Sequence, residues 1–416
     1  MKSARLSNAR RRHPSRGSLV VAASLLVVVA ASLAACGSST ASSGSGSPKG
    51  PFLIAVPADE TGTDSAYGLQ LLAGIKAAVR YVNAHGGIAG RHVELTVQDT
   101  KTDPATAVSE AENMLAGQHY QAMFPATGAI NGLEAALAKV ATAQGVLEVN
   151  AGGDPSVTDP KIFPTAFSMS SGPSATGTAL ACLLKQNFSA TTVGIIHHDE
   201  PYSNGEFAAM ASSGIKIVAN ETVTETDQDF TATIQTIQSS RPDVLVVDIF
   251  GPQLGQIFHN LRAVGYSGPV VGGLEVSAQK PTQVVSTLSL VPKAMPAVAG
   301  AGDVRVNGSL SPLQQSLVSA LGTSVTGLLG NPAAGWDGIQ LIKYAYEHGP
   351  SMKTADLVKT LEGLNGSKAI GTLSVEKPSF SSANHGLQSG DFYAVDYAQQ
   401  LVSGTYTSAK KLPTSC

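Results

Sequence analysis

The run IIHHDEPYSNGEF, Ile195 to Phe207, sets His197, His198, Asp199 and Glu200 side by side. Two imidazoles and two carboxylates are the side chains of metal centres and of acid–base catalysis. Their spacing argues against either. The preceding TTVGIIHH has the apolar, β-branched character of a strand, along which neighbouring side chains point to opposite faces. Four consecutive residues there cannot converge on one ion, and metal pairs need a spacing that returns to one face, as His-x-x-x-His does on a helix. The stretch reads instead as a loop at the lip of a cleft. Tyr202 is its best candidate for touching a ligand, because a phenol can stack and hydrogen-bond. No catalytic residue, metal or cofactor is expected.

Other catalytic signatures are missing as well. The chain has no G-x-S-x-G elbow and no P-loop, and VAGAGDV carries only two glycines of the dinucleotide fingerprint. An exported α/β enzyme is the weaker alternative.

The N-terminus speaks of export. Arg10, Arg11, Arg12 and Arg16 precede the charge-free apolar run GSLVVAASLLVVVAASLAAC, the layout of a secretory signal. LAAC, ending at Cys36, resembles a bacterial lipobox, in which the cysteine is acylated and becomes the first residue. An uncleaved membrane helix over 17–35 is the competing reading. GSSTASSGSGSPKG follows with no core-forming residue, and such a 14-residue tether spans about 20 Å as a flexible coil. That tether favours the lipid anchor.

Residues 1–35 hold six of the 27 Lys and Arg and none of the 30 acids, so the remainder carries 21 basic against 30 acidic residues, a formal −9. A nucleic-acid partner is excluded by that balance. With Cys36 lipidated, Cys182 and Cys416 remain, which suits a disulfide in an oxidising setting and makes a poor zinc site.

From Pro51 the pattern alternates between strands and helices. FLIAVPA reads as a buried strand, and Leu72, Ile75, Val79 and Val82 draw one helical stripe closed by Gly86-Gly87. HVELTVQD is a strand, Asp103-Pro104 supplies an N-cap and first-turn proline, and QAMFPA, a helix over 132–144 and VLEVNA follow. A second run repeats the rhythm: a helix over 174–186, TTVGIIHH, a helix after Asn204, IKIVANETV, a helix marked by Phe230, Ile234 and Ile237, DVLVVDIF, a helix over 254–264 and GPVVGGLE. Helices over 313–329, 335–348 and 354–364 come next, then two strand-like pieces, AIGTLSVE and DFYAVDY. The class is α/β with parallel sheets, built as two similar units. Ligands of such sheets bind outside the C-terminal strand ends, where His197-His198 falls.

YGLQLLAGIKAAVRYVNAHGGIAGRHVELTVQDTKTDPATAVSEAENML is similar to the N-terminal part of bacterial branched-chain amino-acid-binding proteins, the solute receptors of ABC importers with the type I periplasmic-binding fold. HHDEPYSNGE, DIFGPQLGQIFHNLRAVGY and FSSANHGLQSGDFYAVDY match in order, so the likeness covers nearly all of the chain after the tether. It implies two Rossmann-like lobes joined by three crossovers, with ligand held between them and no catalytic step. The boundaries expected are 1–35 for a lipoprotein signal peptide and 36–50 for the lipidated Cys36 and tether. Lobe 1 takes 51–170 with 303–388, and lobe 2 takes 171–302 with 389–416.

The resemblance places Tyr67, Tyr202, Phe250, Glu275 and Trp336 along the cleft, Glu275 to hold a ligand ammonium and Trp336, at a helix start, to cover the ligand's apolar part. Core packing is the competing role for each aromatic. Thr127, Asn131, Gly152 and Gly153 fall where the family supplies donors to a carboxylate. Asn131 and the two glycines depart from the family's hydroxyl-rich pattern, which leaves amides, aromatic acids and other small solutes open as ligands. The resemblance also implies a Cys182–Cys416 bond, since the family's last segment returns to lobe 2. The expected partners are a small molecule such as an amino acid, an ABC permease, and the outer face of the cell membrane through the lipid. A sensory receptor of the same fold, presenting ligand to a membrane signalling protein, is the alternative.

Overall fold

Residues 50–128, 132–224, 226–305, 308–322, 328–388, 390–399 and 401–416 are described by the computed structural model. Cys36, the segment before it, the tether and Asn131 lie outside the described residues.

The first sheet starts with FLIAVPA as β1 (Phe52–Ala58), followed by α1 (Ser65–Ala84), β2 (Val93–Asp99), α2 (Pro104–Gly117), β3 (Ala122–Met123), α3 (Leu133–Gln144), β4 (Leu147–Asn150) and β5 (Ala166–Ser171). Phe52, Ile54 and Val56 join the core under α1, while Leu53 and Ala55 pack with residues of α2 and α3. A strand buried on both faces needs apolar residues at every position, which explains the unbroken run. Asp103 caps α2, its Oδ1 accepting from the Thr106 N–H at 2.8 Å, with Pro104 in the first turn.

The second sheet takes the next run: α4 (Pro173–Phe188), β6 (Thr192–His198), α5 (Pro201–Ser212), β7 (Lys216–Val223), α6 (Thr231–Ser239), β8 (Val244–Asp248), α7 (Gln253–Ala263), β9 (Val270–Gly272), the short helices α8 (Leu274–Ser277) and α9 (Pro281–Val284), and β10 (Pro296–Gly300). The chain then returns to the first unit with α10 (Pro312–Leu321), α11 (Gly330–His348), α12 (Thr354–Glu362) and β11 (Gly386–Leu387). It ends on the second with β12 (Phe392–Asp396), the hairpin β13 (Leu401–Val402) and β14 (Thr405–Tyr406), and β15 (Ala409–Lys411).

Sheet one runs β11-β5-β4-β3-β1-β2, parallel throughout. Sheet two runs β15-β12-β10-β9-β8-β6-β7, parallel up to β10 and antiparallel at β12 and β15. The chain passes between the sheets three times, after β5, after β10 and after β11, and both belong to one compact unit, Ser47–Cys416. Cys182 on α4 is joined by a disulfide to Cys416, with Cα atoms 5.5 Å apart. Among the described residues no helix is long and apolar enough to cross a membrane.

Glycine permits the close crossing of α1 and α11. A Cβ on Gly74 of α1 would stand 2.0 Å from the Pro332 carbonyl oxygen, and one on Gly335 of α11 would stand 2.3 Å from that of Leu71. The two backbones can cross at that distance only without side chains there.

Five segments differ from the sequence expectation. The helix expected after Asn204 begins at Pro201, so Tyr202 lies in its first turn rather than in a loop. The helix expected over 313–329 ends at Leu321, and 323–327 lie outside the described residues. GPVVGGLE is strand only to Gly272, and Glu275 sits in the first turn of α8. AIGTLSVE forms no strand, because the buried Asp337 carboxylate takes the N–H groups of Leu373 and Ser374 at 2.6 and 2.7 Å, binding the segment to α11 instead of to a sheet. Finally, α11 begins at Gly330 rather than Gly335, because the Asp303 carboxylate accepts the Gly330 N–H at 2.6 Å and caps it from outside.

Candidate functional site

The strands of both sheets end on one cleft. Ala151 and Gly152 follow β4, Met169 to Ser171 close β5, Phe250 follows β8, Leu274 and Glu275 follow β9, and Gly300 to Asp303 follow β10. Gly330, Asn331 and Ala334 of α11 and Phe392 of β12 complete much of the wall. The cleft is partly open to solvent, and its wall sets a few polar groups among apolar and aromatic side chains, the makeup of a small-molecule site.

Tyr67, in the first turn of α1, donates its hydroxyl to the Ala151 carbonyl at 2.8 Å. Its ring meets Phe250 of the other sheet edge-on, with centroids 6.4 Å apart. Tyr202, in the first turn of α5, is buried; its hydroxyl donates to the Ser171 carbonyl at 3.1 Å and lies 2.6 Å from Thr176 Oγ1. Gly153 lies against that ring, since a Cβ there would stand 2.9 Å from Tyr202 Cδ2, and its φ of +95° is one that glycine adopts freely. Both phenols are thus anchored through their hydroxyls. What they present to a ligand is ring.

The charged lining is acidic. Among the described residues of the wall, the ionisable carboxyls are Glu275, Asp303 and Asp391, and no Lys, Arg or His joins them. Asp391 pairs with the exposed Lys411 at 2.7 Å. Burial holds Glu275 well above the usual carboxylate range, and the nearby Asp248 and Glu200 add to the effect. Asp303 is pushed up to about 7 by burial. Beneath Glu275 lie two acids the sequence reading missed. Glu206 of α5 is fully buried and shares a hydrogen bond with the Asp248 carboxyl at the end of β8, whose Oδ1 also accepts the Glu275 N–H at 3.1 Å. Burial and then Glu275 raise Glu206 to about 8; burial and then Glu206 raise Asp248. One proton between Glu206 and Asp248 relieves the repulsion of two adjacent buried anions.

The donors expected for a ligand carboxylate are otherwise engaged. Glu134, buried on α3, accepts the Gly152 N–H at 2.7 Å and the Asp154 N–H at 2.8 Å. Burial lifts it to about 8 against the pull of those two bonds. Thr127 is fully buried below Gly152, away from the cleft wall, and its Oγ1 has no hydrogen-bond partner.

Of the residues named from the sequence, Tyr67, Gly152, Tyr202, Phe250 and Glu275 line one cleft, and Gly153 backs Tyr202. Trp336 does not. With α11 starting at Gly330, Trp336 falls in its second turn with no exposed surface, its Nε1 donating to the Gly371 carbonyl at 3.0 Å and its ring 4.8 Å from that of Tyr81. It is a core anchor of the first lobe, and the role of covering a ligand is withdrawn. The opening cluster does not converge on one point: His197 Nε2 lies 3.0 Å from Asn220 Oδ1, His198 Nε2 2.7 Å from Gln253 Oε1 with its Nδ1 3.6 Å from Glu200, and Asp199 accepts from Asn204 at 2.9 Å. Met169, Ser170, Leu274, Asn331 and Phe392 went unnamed in the sequence reading. Their common signal is position, at strand ends and, for Asn331, at the start of a helix.

Two α/β lobes with a cleft across the ends of their strands define a two-lobed binding protein. The periplasmic binding protein family matches residues 51–400, and the chain belongs to that family. The Leu/Ile/Val-binding protein homolog 1 of Brucella suis is 25% identical over 226 residues, covering 53% of this chain and 60% of its own. The Leu/Ile/Val-binding protein BraC3 of Rhizobium johnstonii is 27% identical over 230 residues, covering 53% and 61%. The chain therefore spans about three-fifths of the length of these relatives. Among solved structures, LivJ of Streptococcus pneumoniae in complex with isoleucine gives a TM-score of 0.69 at 19% identity, covering 87% of this chain and 99% of that one. A solute-binding protein of an R. palustris ABC transporter, in complex with 4-hydroxybenzoate, gives 0.68 at 15%, covering 88% and 98%. These likenesses carry the fold. The resemblance read from NAHGGIAGR and its companions holds: the fold is that of type I periplasmic binding proteins, a family of extracytoplasmic solute receptors rather than enzymes.

Proposed function

We propose that the chain is a solute-binding lipoprotein that captures a small molecule, an amino acid or a related compound, between its lobes and delivers it to an ABC importer. The observation that carries this is the single cleft on which Tyr67 and Gly152 of one lobe meet Tyr202, Phe250 and Glu275 of the other. A ligand touching both walls stabilises the closed arrangement over an open one, and hinge closure is how such a receptor signals occupancy. In this reading lobe 1 comprises 51–170 and 303–388, lobe 2 comprises 171–302 and 389–416, and Cys36 carries the lipid that holds the receptor beside a permease. Names of the relatives, and the isoleucine and 4-hydroxybenzoate in two structural neighbours, bracket the chemistry as small organic solutes.

A thermal-shift screen against amino acids, amines, amides and small organic acids tests the proposal. A true ligand raises Tm, and Phe250→Ala and Tyr202→Ala each reduce the shift. The reading is overturned by a stabilising ligand that both variants bind as well as the parent, since its site would lie elsewhere.

A further inference from the structure

Three facts about the cleft bear on the class of its ligand. Its charged wall is acidic, with Glu275, Asp303 and Asp391 facing it, and Asp391 already pairs with the exposed Lys411. Behind Glu275 sit Glu206 and Asp248, fully buried, hydrogen-bonded to each other and paired with no cation among the described residues. Across the cleft, the N–H groups of Gly152 and Asp154 are held by the protein's own Glu134. A zwitterionic amino acid needs donors for its carboxylate, and on this wall the Gly152 N–H is held by Glu134 while the Ser170 hydroxyl and the Asn331 amide are turned to Ser171 O and Gln70 Oε1.

Resting on the reading of this cleft as a solute site, we propose that its ligand is a small organic ammonium ion without a carboxylate. Glu275 meets the cation, with Glu206 and Asp248 behind it deepening the negative potential. The rings of Tyr67, Tyr202 and Phe250 supply the rest, since their faces attract a desolvated cation and pack on its alkyl part. Both tyrosine hydroxyls are spent on backbone carbonyls, which leaves ring rather than hydroxyl for the ligand. Buried carboxyls without a counterion hold protons, and a cation arriving among them favours the ionised form. Binding therefore releases protons, and affinity rises with pH. The groups facing Glu275 that set this response are Glu200, Glu206, Asp248, Tyr67 and Tyr202.

Calorimetry on the full-length chain in detergent tests the proposal with three probes: isoamylamine, choline and leucine. Isoamylamine is leucine without its carboxylate, and choline keeps its charge at every pH. Isoamylamine is expected to bind at least tenfold more tightly than leucine. The heat of choline binding should depend on the ionisation enthalpy of the buffer, reporting proton release at pH 7, and choline affinity should rise between pH 6 and 8. Glu275→Gln, shown by an unchanged Tm to fold, should weaken both cations at least tenfold. A second variant works in the opposite direction: Glu134→Ala frees the Gly152 and Asp154 N–H groups and should raise leucine affinity at least fivefold, a gain that misfolding cannot mimic. Leucine binding more tightly than isoamylamine, with Phe250→Ala abolishing it, would overturn the ligand class and leave the receptor reading standing. Failure of all three probes, together with a screen of amino acids, amines and amides that finds no ligand sensitive to Phe250→Ala, would sink both.

Discussion

Glu148→Gln should stabilise the protein at neutral pH and flatten the fall of stability toward alkaline pH. Glu148 stands on β4 with no exposed surface; Asn150 donates to its Oε1 at 3.2 Å, while its Oε2 and the Asn150 Oδ1 have no hydrogen-bond partner. A proton on Oε2 removes the buried charge and offers a donor beside that orphaned Asn150 oxygen. Burial accordingly raises Glu148 from 4.5 to about 8. The sign follows from proton counting: between those values the unfolded chain has lost the proton and the folded chain keeps it. Stability is therefore complete below pH 4.5 and is lost as pH rises toward 8, at about 1.4 kcal/mol per pH unit. At pH 7 the accumulated loss is roughly 3 kcal/mol. Glutamine copies the protonated form, holding an acceptor for Asn150 and an N–H where the proton would be. Urea unfolding of parent and variant from pH 5 to 8.5 should give curves that diverge with a slope difference of about one proton. Parallel curves would refute the premise that Glu148 keeps its proton in the fold.

The other expectations are more direct. Trp336 emission should be that of a buried indole and should not change when a ligand binds, whereas Trp336→Ala should cost roughly 3–5 kcal/mol of stability, read by urea unfolding. Gly74→Ala should lower stability by roughly 1–3 kcal/mol or more, because its new methyl meets a backbone carbonyl that cannot swing aside; an unchanged midpoint would show that α1 and α11 can part. Non-reducing peptide mapping should recover Cys182 and Cys416 in one linked pair, and Cys182→Ser should cost roughly 2–5 kcal/mol. Cys36→Ala should release the protein from the membrane fraction, and its retention there with an unprocessed N-terminus would favour a membrane helix instead.

What the sequence disclosed and what it hid divide along a physical line. The order of strands and helices is written in local periodicity, so β1, β6 and β8 were legible to within two residues. Cleft position was also legible, because strand ends are local and ligands gather at them. Several of the failures are carboxylates whose destinations lie far along the chain. Asp303 caps α11 from 27 residues away, and this moved the start of the helix from Gly335 to Gly330 and carried Trp336 from the mouth into the core. Asp337 takes the N–H groups of Leu373 and Ser374, and so AIGTLSVE, which alternates like a strand, wraps a helix. Glu134, in a helix that reads as amphipathic LEAALAK, is drawn inside by N–H groups 18 and 20 residues on. Glu206 leaves no signal in NGEFAAM beyond an acid among small apolar neighbours. An acid in a helix is ordinarily a solvated one, and only the returning chain decides otherwise. Those decisions cost desolvation, which the structure offsets with backbone donors at Glu134, Asp303 and Asp337 but at Glu206 only with the neighbouring Asp248 carboxyl. That acid is the one lying behind the cleft wall. There the missing partner need not come from the chain at all, since a bound cation can supply the charge that the fold withholds.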